Sequence, residues 1–230
     1  MSGHVGRSAG RWTDLGTRAL SALVLAPIAL ACIWFGGPAF VLLVAAIMLG
    51  LGIEWLALCR RPGAAGIWPA GFLYVALAGG ALLWLRGDSA AGRADVLFLL
   101  LVIWAGDIGA YLMGRLIGGA RLAPRISPGK TWSGAIGGLL AAVAVGLLAA
   151  HLLSGGPAWR AGWIAALLGI VAQAGDLLES YVKRRLEVKD SGHLIPGHGG
   201  LFDRLDSVLA AAPVAALLAF TQGRGVVLWQ

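Results

Sequence analysis

Cysteine is almost missing from this 230-residue chain, and charge is scarce. The two cysteines, Cys32 and Cys59, lie in or beside separate apolar runs. They offer neither a disulfide framework nor a thiolate metal cluster, and both read as packing residues. Only 13% of the residues are charged, and acids are the scarcer sign, 11 against 18 basic side chains. There is no internal repeat, no low-complexity linker, and no G-x-x-x-x-G-K-[ST] spacing of a P-loop. What the chain has in abundance is apolar length: 59% of it is hydrophobic and its mean hydropathy is +0.82. That composition excludes a soluble globular domain and a disordered chain alike.

A bilayer crossing needs about 20 apolar residues. Seven segments qualify, at roughly 19–36, 38–58, 66–85, 95–117, 133–153, 158–178 and 203–222. The expected fold is therefore all-α, a polytopic integral membrane bundle of about seven transmembrane helices. Residues 1–18 form a basic tail, 19–94 a scaffold, 95–222 a catalytic region with polar loops at 115–132 and 179–204, and 223–230 a C-terminal tail. The 19–36 run is long and lacks a small-residue cleavage site, so it reads as a retained span. With the N-terminus inside, 14 of the 18 Lys and Arg residues fall in cytoplasmic segments and four (Arg86, Arg93, Arg160 and Arg224) outside. This positive-inside bias predicts a multi-pass protein of the inner membrane with its polar loops in the cytoplasm. The net charge of +7 is then topology and attraction to anionic lipid. No soluble basic domain exists to hold nucleic acid. Glu54, the one acid within an early span, is expected to pair with Arg60 or snorkel beside it. Small residues on the early spans suit close helix packing and are compatible with a homodimer.

Eleven of the 29 charged side chains crowd into the 33 residues from Gly175 to Ser207. Ionisable groups at membrane depth are costly, which makes them candidates for function. Asp176, Glu179, Ser180 and Lys183 stand at i, i+3, i+4 and i+7 and share one helical face. Pro196 and the glycines of PGHGG then break the helix into a loop that lets backbone approach a ligand. Asp203 and Asp206 follow at i, i+3 with Arg204 beside them. Carboxylate-bearing helix ends joined by a Gly-rich basic loop suit hard divalent cations and phosphate. The plainer alternative is a juxtamembrane loop of solvated ion pairs, but such a loop rarely puts its acids on the membrane side of its basic run.

A second polar cluster occupies 104–134. Asp107, Tyr111 and Arg115 form a stripe at i, i+4, i+8 that is expected to face the polar site. The Gly/Pro-broken loop after it carries Arg121, Arg125, Ser127, Lys130 and Thr131, the cations and small hydroxyls that a phosphate group requires. A positive-inside anchor would explain the same loop.

The run S-Y-V-K-R-R-L-E-V-K-D-S-G-H-L-I-P-G-H-G-G-L-F-D-R-L-D, Ser180 to Asp206, resembles the signature of the phosphatidate cytidylyltransferase (CDP-diacylglycerol synthase) family. D-x-x-A-Y-x-x-G-R at 107–115 and S-P-x-K-T-W at 127–132 are similar to upstream motifs of that family, and Glu54-Trp55 resembles a pair in its N-terminal part. The resemblance covers about 107–207. One position departs: Ser133 stands where the family commonly has an acid. The resemblance implies transfer from CTP or dCTP to phosphatidic acid in the bilayer, giving CDP-diacylglycerol and pyrophosphate. On that reading Asp176 and Asp203, with Glu179, bind Mg²⁺, a second cation such as K⁺ lies nearby, and Asp206 and Asp190 support them. Lys183, Arg184, Lys189 and Arg204 hold phosphates, and His198, Gly199 and Gly200 contact the ligand from the loop. Arg125, Ser127, Lys130, Thr131, Asp107 and Tyr111 complete the substrate site. Three alternatives stay open: a CTP-dependent transferase for another lipid phosphate, a membrane transporter, and an inactive scaffold, against which the intact carboxylates weigh. The transporter predicts polar residues spread along several spans to both faces.

Overall fold

A computed structural model of the chain describes residues 23–61, 64, 66–153, 157–192, 194, 199–223 and 226–230. Among the described residues seven helices follow in chain order: α1 (Leu23–Phe35), α2 (Gly37–Cys59), α3 (Trp68–Arg86), α4 (Ala90–Leu116), α5 (Trp132–Leu153), α6 (Ala158–Arg185) and α7 (Phe202–Gln222). The expected helical bundle is present. Six helices, α2 to α7, are long and apolar enough to cross a membrane, and α1 is described over 13 residues. Residues 19–22 of the expected first span lie outside the described residues.

Boundaries move where local chemistry decides them. The helix expected from residue 95 begins at Ala90, because Ser89 Oγ accepts the Gly92 amide at 2.9 Å and caps α4. The span expected to end at 178 continues as helix through the face of Asp176, Glu179, Ser180 and Lys183 to Arg185, which makes α6 28 residues, about 42 Å at 1.5 Å per residue. That exceeds the roughly 30 Å hydrocarbon core, so the charged turns of the polar face continue the helix. It closes with Val188 N–H donating to the Lys183 carbonyl at 2.9 Å and Glu187 in the left-handed region at φ 56°.

The polar loop after α4 contains an antiparallel hairpin, β1 (Arg121–Ala123) with β2 (Ser127–Thr131), Arg121 opposite Thr131 and Ala123 opposite Ser127. Pro124 fits the second position of its turn, which the Ile126 amide closes on the Ala123 carbonyl at 3.1 Å.

Lipid is as apolar as a leucine side chain, so close contact rather than exclusion of water holds membrane helices together. Large apolar residues such as Leu42, Ile108, Trp163 and Leu217 accordingly stand on the outside. Inside, α4 and α5 meet along a seam of small residues: a Cβ on Gly138 would sit 2.7 Å from the Gly106 carbonyl oxygen. At the end opposite the hairpin, buried polar groups are tied to backbone beside a cavity of about 250 Å³ lined by Asp88, Ser89 and Asp95. Buried Arg86 donates to the carbonyls of Ile33 (2.6 Å), Trp34 (3.1 Å) and Gly87 (2.9 Å). Asp95 accepts the Leu228 amide at 2.7 Å, and Trp229 stacks on Phe98 with ring centroids 4.5 Å apart.

Candidate active site

The polar residues gather where the hairpin, α6 and the N-terminus of α7 meet. Gly175 is the enabling residue. A Cβ there would lie 2.9 Å from the Asp206 carbonyl oxygen, so only glycine lets α6 and α7 approach this closely. The approach brings Asp176, Glu179 and Asp206 together, each offering one carboxylate oxygen within 4.8 Å of the others. Opposite oxygens around an octahedral Mg²⁺ are about 4.2 Å apart, given bonds near 2.1 Å, so small side-chain rotations would close the set. Lys130 from β2 pairs with Asp176 at 2.6 Å, and Lys183 pairs with Glu179 at 2.6 Å. Glu179 Oε1 is buried and has no hydrogen-bond partner among the described residues. Leaving such an oxygen unsatisfied costs about 1–3 kcal/mol. An all-oxygen trio with a free buried lone pair fits a hard divalent cation.

Asp203 is the expected metal ligand that stands outside the trio. Its Oδ1 accepts from Lys183 at 2.6 Å, and its Oδ2 accepts from the Ser191 amide, the Ser191 hydroxyl and the Gly200 amide, each at 3.0 Å. Both Asp203 oxygens are thus in contact with protein groups, while Asp206 stands beside Asp176 and Glu179.

Two cavities flank α6. The first, about 350 Å³, is the more polar of the two: Asp107, Tyr111 and Arg115 from α4, Lys130 and Thr131 from β2, and Gln173 and Asp176 from α6 line it, with Ala110, Leu122 and Ala135 between them. The stripe of α4 thus faces the polar site as its spacing suggested, and Arg115 donates to the Tyr111 hydroxyl at 3.2 Å. The second cavity, about 340 Å³, has apolar walls from Trp55, Tyr74, Leu178, Val182 and Phe202 and a polar edge of Glu179, Lys183 and Asp206. The carboxylate trio therefore sits between the two, Asp176 on the first and Glu179 and Asp206 on the second.

Other candidate residues lie around this centre. Arg184 ties the hairpin to α6 by donating to the Ile126 carbonyl at 3.3 Å. Ser127 stands in β2 opposite Ala123, outside both cavities. Arg125, Lys189, Asp190 and Arg204 are exposed and line neither cavity. Gly199 has φ 79°, and Gly200 donates to Asp203. His198 lies outside the described residues. Ser133 donates to the Gly118 carbonyl at 2.5 Å and lies 3.0 Å from the Thr131 hydroxyl, so it pins the end of α4 to the start of α5.

Several contributors were not expected. Gln173, three residues before Asp176, donates to the Ala135 carbonyl at 3.1 Å and lines the first cavity. Its signal was a lone amide in an apolar run. Ser191 touches Asp203, and Glu54 does not turn to Arg60. It is buried, and it accepts from the amides of Leu201 (2.8 Å) and Phe202 (3.0 Å) at the start of α7.

Comparison with known proteins places this arrangement in a class. Residues 64–221 match the cytidylyltransferase family, and the chain belongs to that family. It is similar to the phosphatidate cytidylyltransferase of Brucella suis, 40% identical over 251 residues, covering 89% of this chain and 93% of the relative. It is also similar to that of Rickettsia felis, 34% identical over 209 residues, covering 86% and 88%. A relative of the same description from Mycobacterium leprae is 44% identical over 124 residues, covering 54% and 40%.

Proposed function

We propose that this chain transfers the cytidylyl group of CTP or dCTP to phosphatidic acid, giving CDP-diacylglycerol and pyrophosphate, at the cytoplasmic face of a bacterial inner membrane. One arrangement carries the assignment: the more polar cavity and the apolar cavity meet at a single carboxylate trio. A water-soluble nucleotide suits the first, and the acyl-glycerol end of a lipid suits the second. Their phosphates would then meet at Asp176, Glu179 and Asp206. The names of the relatives agree with this pairing of substrates. The orientation rests on the positive-inside bias, since the site end of the bundle carries the hairpin and the charged turns of α6.

In the reaction a phosphate oxygen of phosphatidic acid attacks the α-phosphorus of CTP in line. A new P–O bond forms, the bond from the α-phosphorus to the bridging oxygen breaks, and pyrophosphate leaves with the electron pair. The attacking phosphate is already anionic at neutral pH, so no general base is required. Asp176, Glu179 and Asp206 would hold Mg²⁺, which when bound supplies charge neutralisation to the phosphates. Asp107, lining the first cavity beside Asp176, is where a second cation such as K⁺ would stand. Lys130 and Lys183 bring fixed positive charge to either side of the trio, where negative charge builds on the leaving group. Tyr111, Arg115 and Thr131 line the nucleotide side, and Asp203 holds Lys183 in place.

A transporter would need a polar path to the far face. Among the described residues Arg86 and Asp95 at that end are bound to backbone groups and Phe98 stacks on Trp229, which favours the transferase. The test uses purified protein in mixed micelles with Mg²⁺ and radiolabelled CTP, offering phosphatidic acid or an isoprenoid phosphate. Label entering the organic phase with phosphatidic acid, and lost with EDTA, is the expected result. Label on the isoprenoid phosphate alone would change the acceptor, and no label on either lipid from folded protein would overturn the transferase.

A further inference from the structure

Glu54 sits on α2, before the start of the family match at residue 64, and is 3% exposed. A buried carboxylate needs compensation, and here the compensation comes from one loop. Glu54 Oε1 accepts the Leu201 amide at 2.8 Å, and Oε2 accepts the Phe202 amide at 3.0 Å and lies 3.3 Å from Ser191 Oγ, whose proton has Asp203 as the nearer acceptor. Leu201, the N-cap of α7, has no side-chain cap of its own. Glu54 supplies that cap from another helix, where an anion also meets the positive end of the α7 dipole. The fit is tight: a Cβ on Gly192 would lie 2.6 Å from Glu54 Oε1, and one on Gly50 would lie 2.9 Å from Leu201 Cδ2. Next to it, Trp55 packs on Phe202 with ring centroids 5.9 Å apart and donates to the Trp68 carbonyl at 2.9 Å.

The two ends of the glycine-rich loop are therefore held by two carboxylates. Asp203 takes Ser191 and Gly200, Glu54 takes Leu201 and Phe202, and the Ser191 hydroxyl lies between both acids. From there the contacts continue through Lys183 to Glu179 of the trio. We infer that Glu54 is a positioning residue: it holds the start of α7 at Leu201 and Phe202 beside Ser191, so that Gly199, Gly200, Asp203 and Lys183 are set for the nucleotide's phosphates. This rests on the transferase reading above. A charged acid is required because both oxygens must accept. Glutamine keeps one acceptor and turns an NH₂ toward an amide N–H.

The test compares wild type, Glu54→Gln and Glu54→Asp in three readouts: thermal unfolding, hydrogen–deuterium exchange over residues 199–203, and steady-state transfer with CTP and phosphatidic acid varied separately. In Glu54→Gln, exchange at 200–202 is expected to rise about 10-fold, on the order of one charge-assisted hydrogen bond, while the α4–α5 seam is unchanged. The KM for CTP should rise by a similar factor and the KM for phosphatidic acid should hold within about twofold. Glu54→Asp, which keeps both acceptors on a shorter stem, should recover part of the loss and serves if the glutamine variant does not fold. Unchanged exchange at 200–202 would overturn that role. A fall in kcat alone, in step with lost stability and with both KM values intact, would reduce Glu54 to a structural cap. If wild type transfers no label, the transferase reading fails by itself, and the exchange data still decide whether Glu54 holds the loop.

Discussion

Replacing Asp203 by asparagine separates the two roles that i, i+3 carboxylates on one helix could have. Asp203 accepts four hydrogen bonds, one from Lys183 and three from Ser191 and Gly200. Asparagine has one acceptor oxygen. If it serves Ser191 and Gly200, its NH₂ faces the ammonium of Lys183, whose side chain is only 14% exposed. Removing one partner of a buried pair costs about 3–5 kcal/mol. Glu179 still holds Lys183 at 2.6 Å, which puts the expected cost near the lower end, about 3 kcal/mol. For a chain of this size that corresponds to a fall in Tm of about 6–12 °C. The ten tryptophans allow unfolding to be followed by intrinsic fluorescence in detergent micelles. Asp206→Asn is the matched control. Its Oδ1 accepts the neighbouring Ser207 amide, and losing a charge from a crowded trio relieves repulsion, so its Tm should hold or rise. An Asp203→Asn protein that melts within about 2 °C of wild type would refute the role given to Asp203 here.

Two further substitutions test the packing around the site. Gly175→Val should cost about 1–3 kcal/mol and abolish transfer, because its side chain meets the Asp206 carbonyl and pushes α7 from α6; membrane insertion, followed by fractionation, should persist, and normal turnover would contradict the close approach. Ser133→Glu restores the acid common in the resembling family but removes the donor to Gly118, so it should cost about 1 kcal/mol in thermal unfolding while transfer continues; a large loss of activity would show that the turn at Ser133 serves the reaction directly.

Hydropathy made the spans from α2 to α7 legible because each is one helix with an apolar window near bilayer length. The i, i+3, i+4 spacing likewise revealed the charged faces of α4 and α6. Which of Asp203 and Asp206 joins Asp176 was not legible. Residues three apart on a helix differ by about 60° in direction, and the choice depends on how α7 lies against Gly175. Glu54 was misread for the same reason. Arg60 is near in sequence, whereas the amides of Leu201 and Phe202 are 147 and 148 residues away. The hairpin of 121–131 was hidden because Gly and Pro punctuation reads as a loop whether or not the short strands between pair.

The most direct test of the account measures label transfer from CTP to phosphatidic acid across a Mg²⁺ titration in wild type, Asp203→Asn and Asp206→Asn. If Asp176, Glu179 and Asp206 form the metal centre, Asp206→Asn protein that is folded and stable transfers nothing at any Mg²⁺ concentration. Asp203→Asn should then retain the wild-type Mg²⁺ midpoint on whatever turnover survives its loosened loop. Wild-type turnover and Mg²⁺ dependence in Asp206→Asn, with the midpoint shifted in Asp203→Asn instead, would contradict it and return the metal to Asp203.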